Sequence, residues 1–180
     1  IGRSAARFDF AKLENLNGHY IRSSDDETLL KAIDALLPHL ENGAALQAAL
    51  SGPAREQFRH ALPGLKERAK TLIDLLDSAT YIWAARPLPL DEKADKILDA
   101  DARGHLAAMA DRLEALPEWT AAEAEAVVRA YAEETELKLG KVAQPLRCAL
   151  TGRTTSPPVF DVLETLGREE SLARIRDQAG

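Results

Sequence analysis

The sequence predicts an all-α protein, an array of short and medium helices in two packed helical subdomains. Apolar side chains recur at a period near 3.6 residues in one segment after another, which is typical of amphipathic helices. Sustained apolar–polar alternation, the pattern of half-buried strands, is hard to find. Proline and glycine separate the periodic segments, and no repeat of fixed length indicates a regular solenoid.

Two helix starts are predicted at capping boxes. In the first, the Ser24 hydroxyl would cap the helix and Glu27 would bond back to the cap residue. In the second, Thr120 and Glu123 have the same spacing. The apolar residues that follow the first box on one helix face are Leu29, Leu30, Ile33, Leu36 and Leu37, and those after the second are Val127, Val128 and Tyr131.

A third amphipathic helix is predicted to begin near Pro63–Gly64. Its apolar face would carry Leu65, Leu72, Ile73, Leu75 and Leu76. Two further helices fit residues 101–116 and 170–178. With Pro158 in its first turn, a short helix would run from Val159 to Leu166 and end before Gly167.

Breaks between these helices are expected where proline removes an amide donor and restricts the residue before it. Such breaks lie at 51–53, 86–89 and 151–158. The most natural division of the chain is the linker Pro87–Asp91, which would leave one helical subdomain on each side.

Composition limits the class of protein. The chain has 180 residues, 46% of them hydrophobic, which is ordinary for a folded protein. No run of about 18 apolar residues indicates a membrane span. The first residues do not resemble a signal peptide, and the missing initiator Met suggests a fragment or a processed chain. Cys148, the only cysteine, excludes an internal disulfide and a cysteine-built zinc site, and it fits a cytoplasmic location.

Constellations that carry catalysis are absent from the sequence. The four histidines are scattered, without a second histidine three or four positions away to share a metal ion. Phosphate-loop, dinucleotide and G-x-S-x-G patterns do not occur. Acidic clusters such as Glu133–Glu134 are interpreted as solvated helix faces. We therefore expect no catalytic, cofactor-binding or metal-binding residues in this chain.

One segment, Leu137–Phe160, contains no Asp or Glu although the net charge of the chain is -6. It carries four cations, Lys138, Lys141, Arg147 and Arg153, and several hydroxyl side chains. Cations that neutralise phosphates, beside small donors and free amides at a helix start, suit a loop that contacts RNA. A basic face that balances acidic neighbours explains the composition equally well. Cys148 would lie on the buried face of this segment as a small apolar residue.

The same segment resembles the C-terminal signature of bacterial glutamyl-tRNA synthetases. The matching residues are the run Lys138–Arg147 (KLGKVAQPLR), then Ala149–Gly152 (ALTG), Ser156–Phe160 (SPPVF) and Leu166–Gly167. Near the other end, the matching residues are Phe8–Asp9, Lys12–Leu13 and Leu16–Arg22 (LNGHYIR), and between the two ends lies Trp119–Thr120. The similarity extends over the whole chain.

The resemblance implies a division and a function. Residues 1–23 would end the stem-contact region, and 24–88 and 89–180 would form two helical anticodon-binding subdomains of the class I aminoacyl-tRNA synthetase type. In the family, an N-terminal Rossmann-type domain ligates glutamate to tRNA with ATP and Mg. Its two ATP-handling motifs do not occur here, so this chain alone should be inactive and hold no cofactor. The implied partner is the glutamate tRNA, with no membrane, and the implied parent enzyme is a cytoplasmic monomer.

The resemblance also implies site residues. Arg147 falls where the family uses an arginine at the anticodon, and Ser156, Pro157 and Val159 fall on the loop that packs around an anticodon base. Arg68 aligns with an arginine that reads the third anticodon base in some members. It could instead be an exposed helical arginine paired with an acid one turn away. The candidate phosphate contacts are Lys138, Lys141 and Arg153.

At the N-terminal end, a structural interpretation is preferred. We expect core packing for Phe8, Phe10, Leu13, Leu16 and Tyr20, with Asp9 as a helix cap. Lys12 and Arg22 could touch the tRNA arm or be solvated. Two alternatives to the tRNA-binding function are a helical adaptor that binds proteins through an apolar groove, and a domain of another synthetase-like protein not tied to tRNA charging.

Overall fold

The computed structural model describes residues 10–180, with side chains from residue 14 onward. Regular secondary structure in this range is entirely helical, which confirms the predicted all-α class. None of the described helices is long and apolar enough to cross a membrane. The α-helices are α1 (Phe10–Ser23), α2 (Asp26–Leu36), α3 (Gly43–Ala49), α4 (Pro53–Lys66), α5 (Leu72–Ser78), α6 (Glu92–Ile97), α7 (Ala100–Glu114), α8 (Ala121–Glu134), α9 (Leu139–Thr151), α10 (Val159–Leu166) and α11 (Arg168–Ala179). Short 3-10 helices follow α2 (Leu37–His39) and α5 (Thr80–Ile82).

Helix α9 is the central element of the C-terminal half. It contacts α6, α7, α8, α10 and α11. Its buried apolar side chains include Val142, Leu146 and Leu150, and burial of each leucine contributes roughly 1.5–3 kcal/mol. Cys148 is also fully buried, so its predicted role as a small apolar residue is confirmed. Burial raises the pKa of the Cys148 thiol to about 11, which keeps it protonated and unreactive.

Helix α4 connects the N-terminal helices to this C-terminal half. It contacts α2 and α5 on one side of the linker and α10 on the other. Phe58, Leu62 and Leu65 recur at helical spacing along its buried face. On the same helix, the Gln57 side-chain amide donates to the Thr165 carbonyl at 3.2 Å. The position of α4 therefore depends on contacts far apart in sequence.

The predicted helix start at Pro63–Gly64 is wrong, because both residues lie inside α4. The buried face of α4 continues through Leu62 and Leu65, and this packing outweighs the hydrogen bond that Pro63 removes. The actual break follows Lys66, and α5 begins at a capping box formed by Thr71 and Asp74. Ile73, placed on the apolar face by the prediction, is 50% exposed.

The first predicted capping box is displaced by one residue. Asp25, not Ser24, caps α2 and accepts a hydrogen bond from the Thr28 amide. The Ser24 hydroxyl instead donates to the Tyr20 carbonyl at the end of α1, at 2.7 Å. The second predicted cap, Thr120, is confirmed, since its side chain accepts from the Glu123 amide.

The N-terminal packing prediction fails where it can be checked. Leu16 and Tyr20 are 65% and 54% exposed, so neither is part of the buried core. The expectations for Phe8, Asp9 and the side chains of Phe10, Lys12 and Leu13 lie outside the described residues. The helices predicted at 101–116, 170–178 and Val159–Leu166 are confirmed as α7, α11 and α10, with Pro158 at the N-cap of α10.

The linker between α5 and α6 is held against the end of α9. Gly152 ends α9 in the left-handed region, with φ of +72°. Its carbonyl accepts a hydrogen bond from the Asp91 amide at 2.9 Å. A Cβ at this position would lie 2.4 Å from the Pro89 carbonyl oxygen. Glycine is therefore required at Gly152 both by the turn and by the close approach of the linker.

Candidate nucleic-acid interface

A cavity of about 270 Å³ opens between three segments that are distant in sequence. These are the turn after α4, the end of α5 with the 3-10 helix after it, and the loop 152–158 between α9 and α10. The lining residues are Gly64, Leu65, Arg68, Asp77, Ser78, Thr80, Tyr81, Thr151, Arg153, Thr155, Ser156 and Pro157. The fold thus brings together four of the predicted site residues, Arg68, Arg153, Ser156 and Pro157.

Arg147 lies behind the loop and organises it. Its Nη1 donates to the Ser156 carbonyl at 3.2 Å, to the Ser156 hydroxyl at 2.5 Å and to the Pro157 carbonyl at 2.8 Å. Burial and then the nearby Arg68 lower the pKa of the Arg147 guanidinium. These bonds hold the loop backbone in one conformation with the Arg147 side chain half-buried.

Other contacts fasten the same loop to α9. The Gln144 amide donates to the Thr154 carbonyl at 2.7 Å, and the Thr151 hydroxyl accepts from the Arg153 amide at 3.3 Å. Arg153 and Thr155 are left exposed toward solvent. Val159 is 4% exposed and packs in the core, so the structure places it as an anchor beneath the loop. The loop therefore presents a cation and hydroxyl groups from a fixed backbone.

Arg68 lines the cavity on the side opposite the loop 152–158, and it comes from the N-terminal half of the chain. It is exposed and lies in the turn after α4, outside any helix. Within residues 14–180, no carboxylate oxygen lies within 4.0 Å of its guanidinium, and no side-chain hydrogen bond engages it. The alternative interpretation, a helical arginine paired with an acid, is therefore wrong for this structure. Its donors are available to a ligand.

The predicted phosphate contacts fall into two separate places. Arg153 lines the cavity, whereas Lys138 and Lys141 are exposed at the start of α9. From Lys141 to the end of α9, the helix rises roughly 15 Å. Lys141 instead lines a second cavity, of about 500 Å³, together with Asp99, Asp101 and His105. The structure does not bring these three cations together.

Tyr81 and Arg174 are structural parts of the site that the sequence analysis missed. Tyr81 is 4% exposed, and burial raises the pKa of its phenol to about 12. Arg174 is 1% exposed and donates at 2.8 Å to the carbonyls of both Tyr81 and Leu150. It thereby ties the α5 side of the cavity to the end of α9. Half of the residues of the helix that contains Arg174 are charged, so no sequence pattern marks it as buried.

Possible metal ligands are not clustered among the described residues. Among them, no group of three or more His, Cys, Asp or Glu side chains is placed to hold an ion. The chemistry on offer at the cavity is hydrogen bonding from guanidinium, hydroxyl and backbone groups, with one carboxylate, Asp77.

Comparisons with known proteins show the family of this chain. A family model described as "Anticodon binding domain" matches residues 14–179. The chain is 62% identical over 178 residues to a glutamate--tRNA ligase of Azorhizobium caulinodans, covering 99% of this chain and 38% of that protein. It is 58% identical over 180 residues to glutamate--tRNA ligase 1 of Beijerinckia indica, covering 100% and 38% respectively. The chain thus spans well under half of the length of these relatives.

The fold has also been seen in a solved structure. A glutamate tRNA ligase from Elizabethkingia meningosepticum, in complex with its amino acid, superimposes with a TM-score of 0.78 at 24% sequence identity. The match covers 99% of this chain and 34% of that one. At this identity the comparison establishes a shared fold.

Proposed function

The chain belongs to the anticodon binding domain family, and from that membership we propose that it binds the glutamate tRNA and reads its anticodon at the cavity. The observation that carries this proposal is the convergence of Arg68, Arg153 and Ser156 on one cavity from distant parts of the chain. Unstacked anticodon bases are recognised by hydrogen bonds to their edges and by packing against side chains. A cavity of about 270 Å³ with these groups suits that task.

Each predicted site residue takes a role in this proposal. Arg68, exposed and without a partner in the described chain, hydrogen-bonds a base edge in one plane, which a lysine cannot reproduce. Ser156 and Pro157 form the wall against which the base packs. Arg147 and Val159 hold that wall in place.

Phosphate contacts are divided between two places. Arg153, at the cavity, neutralises a phosphate beside the bound base. Lys138 and Lys141, at the far end of α9, contact a different phosphate of the same RNA.

The ligation step belongs to the part of the parent protein that lies outside this chain. We propose that glutamate is joined to tRNA there, with ATP and Mg, and that this chain alone is inactive. Residues 24–88 and 89–180 act as two anticodon-binding subdomains after the end of a stem-contact region. The parent enzyme acts as a monomer in the cytoplasm.

Fluorescence anisotropy of the chain against labelled glutamate tRNA tests this function. The comparison is the same tRNA with its anticodon replaced, each at low and moderate salt. We expect tighter binding of the native anticodon and weaker binding of both RNAs as salt rises, because phosphate contacts release counterions. Equal affinity for both tRNAs would reduce the interaction to phosphate attraction and contradict anticodon recognition.

A matched pair of variants assigns the effect to the cavity. Arg68→Ala removes the exposed cation at the cavity, and Arg129→Ala removes an exposed cation on α8 that pairs with Glu125. Each variant changes the net charge equally. We expect Arg68→Ala to lose discrimination between anticodons, and Arg129→Ala to keep it. Equal losses against every anticodon would show that Arg68 contributes charge alone.

One observation favours the alternative of a protein-binding adaptor. Two of the exposed large hydrophobic residues in the described chain, Tyr20 and Ile73, line an apolar cavity of about 350 Å³. The adaptor function requires this surface and not the basic cavity. It predicts that Ile73→Glu abolishes partner binding, whereas the tRNA-binding function predicts that this variant retains anticodon preference.

A further inference from the structure

Arg174 is a buried arginine that does not itself line the cavity. It lies in α11 and is 1% exposed. Its Nη1 donates to the carbonyls of Tyr81 and Leu150, at 2.8 Å each. Its Nη2 donates to the Ala84 carbonyl at 3.2 Å, and its Nε donates to the Glu170 carboxylate at 2.6 Å. The guanidinium therefore binds the backbone of two other segments as well as an acid of its own helix.

The two carbonyls bound by Nη1 belong to opposite sides of the cavity. Leu150 lies in the last turn of α9, where carbonyls lack a partner within the helix, and its neighbour Thr151 lines the cavity. Tyr81 lies in the 3-10 helix after α5 and lines the cavity from the facing side. A single nitrogen thus joins the loop side, formed by the end of α9 and the loop 152–158, to the facing side, formed by the turn after α4, the end of α5 and the 3-10 helix.

The facing side is held together by its own contacts. The Thr80 hydroxyl donates to the Asp77 carbonyl at 2.9 Å, which joins the 3-10 helix to the end of α5. The Trp83 ring packs edge-on against Phe58 of α4, with the ring centroids 6.1 Å apart. A displacement of the 3-10 helix would therefore be passed on to α4 and α5.

The loop side is connected in the same way. The Thr151 hydroxyl donates to the Arg147 carbonyl at 2.8 Å and accepts from the Arg153 amide at 3.3 Å. Arg147 in turn donates to the carbonyls of Ser156 and Pro157. A displacement at the end of α9 would therefore be passed on to the loop, and the bonds of Arg174 act on the separation of two internally connected sides.

Packing alone does not require an arginine at position 174. Burial of a guanidinium carries a desolvation cost, and an apolar side chain of similar volume often stabilises a buried position as well as an ion pair does. The arginine adds a rigid fork of donors that holds several acceptors in fixed directions. A ligand that contacts both sides binds more tightly when their separation is already correct, because less freedom is lost on binding.

We propose that Arg174 is a positioning residue for RNA binding, which sets the separation of the two sides of the cavity without touching the RNA. This inference rests on the proposed function, but it is independent of which base the cavity takes. A folded chain that lacks the guanidinium fork has a wider range of separations and a lower affinity for the tRNA.

Fluorescence anisotropy with labelled glutamate tRNA compares Arg174→Lys with Arg176→Lys. Both variants keep the net charge, so the general attraction to phosphates is unchanged. Arg176 is the control because it lies on the same helix, about half exposed, and pairs at the surface with Glu114. At a temperature where circular dichroism shows each variant fully folded, Arg174→Lys should bind about tenfold more weakly than wild type. Arg176→Lys should stay within about twofold.

A second pair of variants removes the donors altogether. Arg174→Met keeps an unbranched side chain that fills the buried position but donates no hydrogen bond, and Arg176→Met is its control with the same change of charge. Arg174→Met should lose at least as much affinity as Arg174→Lys, relative to its own control.

A third measurement reports the separation itself. Ser78→Cys and Thr155→Cys allow nitroxide labels to be attached to exposed residues on the two sides of the cavity, while the native Cys148 is buried. Electron paramagnetic resonance of the free chain should give a broader distribution of label distances with Arg174→Lys than with wild type or Arg176→Lys. A purely structural role would lower the folded fraction without broadening this distribution in the folded chain.

Each remaining outcome has a definite meaning. Unchanged affinity in the folded Arg174 variants, or an equal loss in the Arg176 controls, would overturn the positioning role while leaving tRNA binding in place. Weaker binding with an unchanged distribution of label distances would overturn it as well, and so would failure of both Arg174 variants to fold, since the role would then be structural. A wild-type chain that does not bind the tRNA would overturn the proposed function, and the role of Arg174 in RNA binding with it.

Discussion

The two sides of the cavity are built in opposite ways. The loop 152–158 is bound by side chains behind it, with Arg147 donating to the Ser156 and Pro157 carbonyls and Gln144 to the Thr154 carbonyl. On the other side, Arg68 and Asp77 are exposed, and within residues 14–180 no hydrogen bond or ion pair engages the Arg68 guanidinium or the Asp77 carboxylate. On the loop side, backbone carbonyls are bound within the fold, whereas on the other side the two charged side chains have no partner in the described chain.

This difference distinguishes side chains that hold the fold in place from side chains that are left free to contact a ligand. A guanidinium that donates to buried carbonyls, as Arg174 does, stabilises the fold, because its loss would leave acceptors unsatisfied. A guanidinium in solvent, such as Arg68, contributes little to stability and keeps its donors for a ligand. Substitutions on the held side should therefore reduce stability, and those on the free side should change binding alone.

The largest effect is expected for Arg174→Ala. This change leaves the carbonyls of Tyr81 and Leu150 without their donor and removes the partner of Glu170. The free energy of unfolding should fall by about 3–4 kcal/mol, measured by urea denaturation. Arg176→Ala is the control on the same helix, since Arg176 is about half exposed and pairs only at the surface with Glu114. An equally small change in both variants would contradict the structural role of Arg174.

Gly152→Ala should have the next largest effect. The alanine must adopt a left-handed conformation, and its Cβ would meet the Pro89 carbonyl oxygen, so we expect a loss of about 2–3 kcal/mol. Gly104→Ala, within α7 and with nothing near its added Cβ, should instead stabilise by about 0.5–1 kcal/mol. Chemical denaturation of the two variants gives the comparison. A stable Gly152→Ala protein would show that the linker can move away from α9 at little cost.

The variants Arg147→Ala and Arg68→Ala compare the two sides of the cavity directly. The first should lower the free energy of unfolding by about 1–2 kcal/mol and weaken binding of every anticodon, because the loop loses its support. The second should leave stability within about 0.5 kcal/mol and change discrimination. Denaturation and anisotropy on the same samples separate the two effects. Similar changes in stability and binding for both variants would contradict the distinction between the two sides of the cavity.

The smallest expected effect concerns the ion pair of Arg86 with Asp177, which fastens the linker to α11 at 2.9 Å. The hydrogen bond from Arg86 lowers the pKa of the Asp177 carboxyl below its ordinary value of 3.8. Since the folded carboxyl titrates lower than the unfolded one, its stabilisation is present above that ordinary value and is lost as pH falls through the lowered one.

Asp177→Asn should therefore be less stable than the wild-type chain at pH 7 by a small margin, and the difference should shrink as the pH falls below the ordinary carboxyl value of 3.8. Thermal unfolding from neutral to acid pH measures it. Glu92→Gln, which breaks an exposed pair with Lys96 within α6, is the control for a surface ion pair that fastens nothing to the linker. A difference between Asp177→Asn and wild type that grows toward acid pH would contradict the assigned direction.

Local signals in the sequence predicted the helices whose boundaries depend on the residues beside them. Thr120 caps α8, Gly152 and Gly167 end α9 and α10, and the prolines after Arg86 interrupt the chain as expected. The helical break at Pro63 was predicted on equally good local grounds and failed, because the buried face formed by Phe58, Leu62 and Leu65 overrides it. Local preference is a weak term wherever packing against other segments is available.

The residues of the candidate site were also predicted only in part. The resemblance placed Arg68, Ser156 and Pro157, and the fold brings them to one cavity. Lys138 and Lys141 belong to the same basic window of the sequence, but the length of α9 carries them away from that cavity. The sequence of a segment gives its charge, but the geometry of the helix determines which of its charged side chains lie close together.

The sequence by itself determined the all-helical class, several helix ends and the family, since these depend on side-chain periodicity, caps and motifs that are local in the chain. Only the tertiary structure decided that Arg147 supports the loop, that Arg174 is buried, and that Arg68 and Asp77 line one cavity without partners. The donors of an arginine are bound or free according to which distant carbonyls and carboxylates the fold places within hydrogen-bonding distance. A local sequence pattern does not contain that information.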